Sequence, residues 1–191
     1  MGESLDKINK KLLNTIGNKR LGHSLRVMKE AEKLAKYYGV DVEKTSIAGL
    51  LHDCGRYEDK SYLLKKAAEF DIILDEIYTK NDNLLHAHLG VEIARTEYDI
   101  SDLDILNAIR YHTTGREDMS LLEKIVYMAD YIEPGRKFEG LDRVRNLCYE
   151  NKDIDKALIL AIDNTIIYIL NNKAIIHEDT IRARNFLLFS M

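Results

Sequence analysis

Apolar side chains return at three- and four-residue steps along most of the chain. Leu21, Leu25, Met28, Ala31 and Ala35 make one such stripe, with Arg26, Lys29, Glu30 and Lys33 between them. This is the pattern of a helix that turns one face to a core. Gly39 is placed to end that helix, because glycine tolerates the positive φ of a C-terminal cap. Asp41 reads as the N-cap of the next helix, which runs through Ile47, Leu50 and Leu51 to about Cys54, where Gly55 stops it. Lys44 stands where a glutamate would complete a capping box. Further helices are predicted at about 61–70, 84–98, 102–111, 120–132, 141–150, 154–171 and 178–188. Ser101, Ser120 and Asp153 stand where N-caps are wanted. No run alternates as a strand would, no segment repeats, and no linker divides the chain. The expectation is one all-α domain over residues 1–191.

Composition agrees: one proline and ten glycines in 191 residues leave long segments unbroken, and Pro134 is the only strong helix breaker. The hydrophobic fraction of 46% and charged fraction of 31% are those of a folded domain rather than a disordered or disulfide-scaffolded chain. Lys and Arg number 28 against 32 Asp and Glu, a net charge of −4. That balance gives no electrostatic footprint for nucleic acid or an anionic membrane, and it weakens an RNA-associated role. A small phosphorylated ligand stays compatible with it, since a few local cations or a metal outweigh the global charge. No stretch nears the roughly 20 apolar residues of a membrane span. The N-terminus carries no basic flank followed by an apolar run, and Asp6 replaces the Ser or Thr of a myristoylation motif. Cys54 and Cys148 suggest neither a metal-ligand pair nor a disulfide framework, so a reducing cytoplasm is the expected location.

The six histidines carry the chemistry. His23 lies on an early helix, His52-Asp53 ends another, His86 and His88 open a middle helix, and His112 follows a further one. Asp130 sits in the apolar segment Leu121–Ile132, among Ile125, Val126, Met128 and Ala129. A carboxylate buried there alone costs several kcal/mol or shifts its pKa, so it wants a partner, and a metal is an economical one. Imidazole with carboxylate and no thiolate suits iron, manganese, cobalt or zinc. Helix bundles build such sites from facing helices, although periodicity alone does not bring these residues together.

Each residue also has a plainer role open to it. His23 fits a helix surface or a satisfied core position, and His52 fits a helix C-terminus where the ring meets the last carbonyls. Asp130 fits a pair with Arg136. His88 reads as structural or exposed, and His177 as lying on a polar surface near Glu178 and Asp179 rather than as a ligand. Tyr111, Tyr127 and Tyr131 fit core packing. Gly115 and Gly135 are turn glycines and make no phosphate-binding loop. Cys54 reads as a packed, inert thiol.

The order His23, His52-Asp53, Asp130 resembles the H…HD…D pattern of the HD superfamily of metal-dependent phosphohydrolases. Its surroundings are GHSLRV at 22–27, AGLLHDCGR at 48–56, HAHLG at 86–90, IRYHTTGR at 109–116 and LLEKIVYMADYIEPGR at 121–136. The full series is similar to the bacterial YqeK family, the symmetrically cleaving diadenosine tetraphosphate hydrolases, from about residue 8 onward. His88 and Cys54 depart from the family's pattern, and neither replaces a ligand.

The resemblance implies an HD-type helical bundle in which His23, His52, Asp53 and Asp130 hold one or two metal ions. Iron is the first choice, with cobalt, manganese or zinc as alternatives. It implies that His86 and His112 face the phosphates and that Arg20, Arg56 and Arg136 neutralise the phosphate chain. Thr113 and Thr114 would hydrogen-bond the nucleotide. The loop from Asn171 through Asn172, Lys173, Ile175 and Ile176 to His177 would border base and ribose. Asp53 would orient or deprotonate the attacking water, and His112 or His86 would protonate the leaving phosphate. The substrate implied is a dinucleoside polyphosphate, split to two ADP. The alternatives are another HD nucleotidase or alarmone phosphohydrolase, or a nucleotide-binding sensor without turnover. Phe186, Leu187 and Phe189 would either pack on the core or serve a homodimer.

Overall fold

Helix α6, Leu121–Ile132, is the structural centre, since all but a few of its side chains are buried. The computed structural model describes residues 5–57, 59–72 and 82–191. Among these lie α1 (Leu5–Tyr38), α2 (Val42–Leu51), α3 (Lys60–Glu69), α4 (Asp82–Tyr98), α5 (Leu103–Tyr111), α6, α7 (Leu141–Tyr149), α8 (Ile154–Asn171) and α9 (Glu178–Phe189), with no strand. The all-α expectation is borne out. No helix among the described residues is long and apolar enough to cross a membrane.

Two apolar clusters form the interior. One gathers Ile8, Leu12 and Ile16 of α1 with Leu50 and Leu51 of α2, Leu89 and Ile93 of α4, and Ile105 and Ile109 of α5. The other joins Val27, Ala31 and Leu34 of α1 to Val144, Leu158 and Ile162 of α7 and α8. Helix α6 serves both: Leu122 and Val126 face the first, and Ile125, Met128 and Ile132 the second. Each such side chain contributes about 1.5–3 kcal/mol of burial. Helix α1 reaches both clusters because it bends at Gly17, whose φ of 74 and ψ of 170 lie outside helical space. That conformation is essentially reserved for glycine.

The caps explain the boundaries. Asp41 accepts the Lys44 N–H at 3.0 Å, and Asp153 accepts that of Lys156 at 3.0 Å. Ser120 and Glu123 form a complete capping box. Asp102, not the expected Ser101, caps α5, its carboxylate taking the Asp104 and Ile105 amides. Helix α2 stops at Leu51 rather than near Cys54, and residues 52–55 turn instead. Backbone crowding explains the turn. A Cβ on Gly55 would lie 2.4 Å from the His86 carbonyl oxygen and 2.5 Å from the Gly90 nitrogen, so the chain passes directly against α4. Cys54 is buried there and donates to the Gly90 carbonyl at 3.3 Å, a packed thiol as expected. At the C-terminus Leu187 packs in the second core, whereas Phe186 and Phe189 are exposed.

These two glycines separate strain from position. Gly17→Ala forces an alanine into a glycine-only conformation in open space and costs about 1–3 kcal/mol. Gly55→Ala forces backbone apart and costs at least about 1–3 kcal/mol. In urea unfolding both variants are expected to lose stability. Only Gly55→Ala is expected to shift the ring NMR signals of His86 and His112, because only there does α4 move against the turn.

Candidate metal centre

Five helices deliver their polar residues to one place. His23 comes from α1, His52 and Asp53 from the turn after α2, His86 from the start of α4, His112 from the C-cap of α5, and Asp130 from the last turn of α6. His52 and His112 are held alike. The Nδ1 of each donates to the carbonyl three residues back, Gly49 and Ile109, at 2.8 Å. A carbonyl only accepts, so Nδ1 carries the proton and Nε2 carries the lone pair. The plain reading of His52 as a ring on its helix's last carbonyls is thus correct, and it is what aims Nε2 at the carboxylates.

His52 Nε2 is fully buried and has no hydrogen-bond partner among the described residues. It lies 3.8 Å from Asp53 Oδ2 and 4.0 Å from Asp130 Oδ1. His23 Nε2 lies 3.0 Å from Asp130 Oδ1. Donor atoms of His23, His52 and Asp130 fall within 4.8 Å of one another, as do those of His52, Asp53 and His112. A buried imidazole lone pair facing carboxylates, with no N–H to satisfy it, fits a cation. The set of neutral imidazoles and carboxylates is that of an iron, manganese, cobalt or zinc site.

His86 Nε2 sits 3.1 Å from His112 Nε2 and 3.1 Å from Asp53 Oδ1. Since His112 Nε2 is the lone-pair atom, the proton in that contact belongs to His86. Arginines ring the cluster. Arg20 reaches Asp53 Oδ2 at 3.4 Å, Arg56 reaches Asp53 Oδ1 at 3.7 Å, and Arg136 meets Asp130 Oδ1 at 2.5 Å. The expected Asp130–Arg136 pair therefore coexists with the cluster.

Electrostatics follow burial and these contacts. Burial lowers the His52 pKa and, with His52 and His86 close by, takes His112 down to about 3. Burial opposes ionisation of Asp53, but His52, His86 and His112 hold it well below the usual carboxylate range. Asp130 is likewise held low, against its burial, by His23, His52 and Arg136. His23 moves the other way: burial lowers its pKa, but hydrogen bonds to Asp130 and Glu133 raise it overall.

Beside the cluster opens a cavity of about 230 Å³ that shares His112, Asp130 and Arg136 with it. Tyr127, Tyr131, Phe138, Thr113 and Thr165 complete its lining. The Tyr131 and Phe138 rings meet edge to face, centroids 5.2 Å apart. The Thr113 hydroxyl is buried without a hydrogen-bond partner among the described residues. Thr114 turns away and donates to the Gly115 carbonyl at 2.8 Å. Tyr131 packs against the second apolar cluster as read and, being partly exposed, also forms a wall of this cavity. Asn172, Lys173, Ile175, Ile176 and His177 are not among the lining residues. Asn172 bonds the Tyr168 carbonyl, and Lys173 and Ile175 are exposed. His177 is not on the surface but buried, because the N-terminus of α9 needs an acceptor: its Nδ1 takes the Asp179 N–H at 3.2 Å.

Sequence reasoning passed over Glu133, Arg26, Phe138 and Thr165. Glu133 is 2% exposed, yet it precedes Pro134 and reads as an ordinary helix end. Its Oε1 lies 3.1 Å from His23 Nδ1, and Arg26 donates to its Oε2 at 2.6 Å.

The titrations set a direction for stability. His52 and His112 are neutral when folded and take up protons when unfolded, so their contribution is complete above about pH 6.5 and is lost as pH falls. His112 alone, lowered to about 3, removes about 2 kcal/mol by pH 5. Raised His23 acts oppositely, stabilising below its unfolded value and ceasing to do so as pH rises through its folded one. Urea unfolding of the metal-free protein is expected to show a net loss on acidification, and His112→Gln a shallower one. An equal slope in both would contradict the neutral, buried state of His112.

Comparison with known proteins places this arrangement. The family model for the HD domain matches residues 20–135, the span from Arg20 to Gly135. Over 169 residues the chain is 41% identical to a protein of Halalkalibacterium halodurans named bis(5'-nucleosyl)-tetraphosphatase, symmetrical, covering 88% of this chain and 89% of that one. A Staphylococcus aureus protein of the same name is 33% identical over 187 residues, covering 98% and 96%. A crystal structure described as a predicted HD superfamily hydrolase involved in NAD metabolism, from Clostridium acetobutylicum, superposes with a TM-score of 0.93 at 43% identity, covering 99% of both chains. The chain belongs to the HD domain family and, within it, to the same group as these symmetrical bis(5'-nucleosyl)-tetraphosphatases.

Proposed function

We propose that the protein hydrolyses P1,P4-bis(5'-nucleosyl) tetraphosphates, diadenosine tetraphosphate above all, symmetrically to two nucleoside diphosphates in a metal-dependent reaction. The observation that carries this reading is the unpartnered Nε2 of His52 at the meeting point of His23, Asp53 and Asp130, beside an arginine-bordered cavity. His23, His52, Asp53 and Asp130 would hold the metal, iron in the first place. When bound, it supplies a water of lowered pKa and a Lewis acid for a phosphoryl oxygen. The two donor groups that share His52 are compatible with one ion or two.

The chain's own residues do the rest. Asp53, held ionised, orients the attacking water and takes its proton, which can pass to His86 Nε2, 3.1 Å from its Oδ1. Water oxygen bonds to a phosphorus beside the central bridge, the bridging P–O bond breaks, and the leaving nucleoside diphosphate takes a proton. The geometry favours His86 over His112 as its donor: His86 Nε2 presents a proton to the cluster, whereas His112 keeps its proton on Nδ1, which donates to the Ile109 carbonyl. Arg20, Arg56 and Arg136 stand where cations neutralise non-bridging oxygens, the main need in phosphoryl transfer. The Tyr131 and Phe138 walls and the Thr113 hydroxyl suit a nucleoside next to Asp130 and Arg136. The loop 172–176 is not needed by this reading.

The test is product analysis by anion-exchange chromatography. Protein loaded with iron(II) or cobalt(II) is given diadenosine tetraphosphate, and ADP is expected as sole product. Chelation and Asp53→Ala should abolish it, and His86→Gln should lower kcat by about 10²–10⁴-fold. AMP with ATP would overturn the cleavage position. Orthophosphate released from a nucleoside monophosphate would favour another HD nucleotidase. Tight ADP binding without turnover would favour a sensor.

A further inference from the structure

His23 and His52 are the imidazoles of the proposed metal position, with His112 beside them, and each has its second nitrogen engaged so that Nε2 can present a lone pair. For His52 and His112 the main chain does this through the Gly49 and Ile109 carbonyls. His23 lies inside a long helix, and its Nδ1 faces a side chain, Glu133 Oε1, at 3.1 Å. A carboxylate fixes a tautomer only if it is itself immobile and turned the right way.

Glu133 is built to be both. Its Oε2 accepts from Arg26 Nε at 2.6 Å and from the Gly135 N–H at 2.5 Å, while Oε1 faces His23 Nδ1 at 3.1 Å and takes a longer 3.4 Å bond from Arg26 Nη2. Its own carbonyl and that of Ile132 accept from Arg145, pinning the end of α6. Gly135 belongs to this arrangement: a Cβ there would lie 2.7 Å from Arg26 Nε and 2.9 Å from Glu133 Oε1. The turn is glycine so that the guanidinium can lie across it.

We propose that Glu133 is a positioning residue, clamped by Arg26 and the Gly135 amide, that holds the His23 proton on Nδ1 and so aims Nε2 into the metal site. The role rests on the reading of His23 as a metal ligand. It assigns a function to the glutamate and glycine of the segment IEPGR. Replacing the carboxylate by an amide inverts the arrangement. With Arg26 and the Gly135 N–H both claiming an acceptor, the glutamine oxygen takes the Oε2 position, and its NH₂ is left facing His23. An NH₂ donates to Nδ1, which moves the ring proton to Nε2, the atom needed for coordination.

Zinc(II) serves as the probe, in competition with a chromophoric chelator, and ¹⁵N NMR of the histidine rings follows the tautomer. Glu133→Gln is expected to lower zinc affinity by about 10–100-fold. The His23 ring signals should move away from the Nδ1-protonated, Nε2-bound form, while the metal-free protein still unfolds in one cooperative transition from a helical state. Glu133→Asp, which keeps an acceptor, is expected to recover part of the affinity, and Arg26→Gln to lose less than Glu133→Gln. Wild-type affinity and an unchanged His23 tautomer in Glu133→Gln would overturn the role. So would a loss that only follows loss of fold in Glu133→Gln and Arg26→Gln alike. His23→Gln is the reference: if it too binds zinc as the wild type does, the metal-site reading fails. If His23→Gln alone loses zinc, only the positioning role fails.

Discussion

Carboxylates and imidazoles within a few ångströms of each other, inside a bundle of apolar helices, must each be repaid for lost hydration. His52 is where this constraint is tightest. Its Nδ1 is tied to the helix it ends, and its Nε2 faces Asp53 and Asp130 with no proton to offer them. The surrounding charges answer in layers. Imidazoles stand next to the carboxylates, and Arg20, Arg56 and Arg136 stand outside them, on the side open to solvent. The centre is thus rich in electron pairs and its border rich in cations, the order wanted for a metal ion that must meet a polyanion.

The helices are arranged to hold that layering still. The His52–Asp53 turn is pressed against α4 at Gly55, so Asp53 and His86 are set by one backbone contact rather than by two independent elements. Helix α6 carries Asp130 and Glu133 at its end and is locked along its length into both apolar clusters. Several polar groups that must be aimed stand at helix ends, where the backbone leaves carbonyls and amides to hold them. His52, His112 and Glu133 all occupy such places.

Much of this was readable from residues. The stripe from Leu21 to Ala35 and the apolar run of α6 announced helices because their period is a local property. Asp41, Ser120 and Asp153 were recognisable caps for the same reason. His23, His52, Asp53 and Asp130 were brought together only by a resemblance in their order, since nothing in local spacing relates α1 to α6. Glu133 and His177 show the limit. Each is a polar residue beside a helix boundary, where an exposed side chain is the ordinary outcome, yet both are buried: Glu133 meets His23 across the bundle, and His177 caps its own helix through the Asp179 amide. Asp102 over Ser101 is a choice between adjacent acceptors that sequence leaves nearly even.

The bend at Gly17 and the placement of α6 have a consequence for how the molecule comes apart. Because α1 and α6 each supply side chains to both clusters, no seam divides the bundle into halves that could open one at a time. Amide protons along α6 should then exchange only through global unfolding, whereas the exposed end of α9 frays on its own. The site is therefore as durable as the whole fold: to release Asp130 from its neighbours, the chain has to lose both interiors at once.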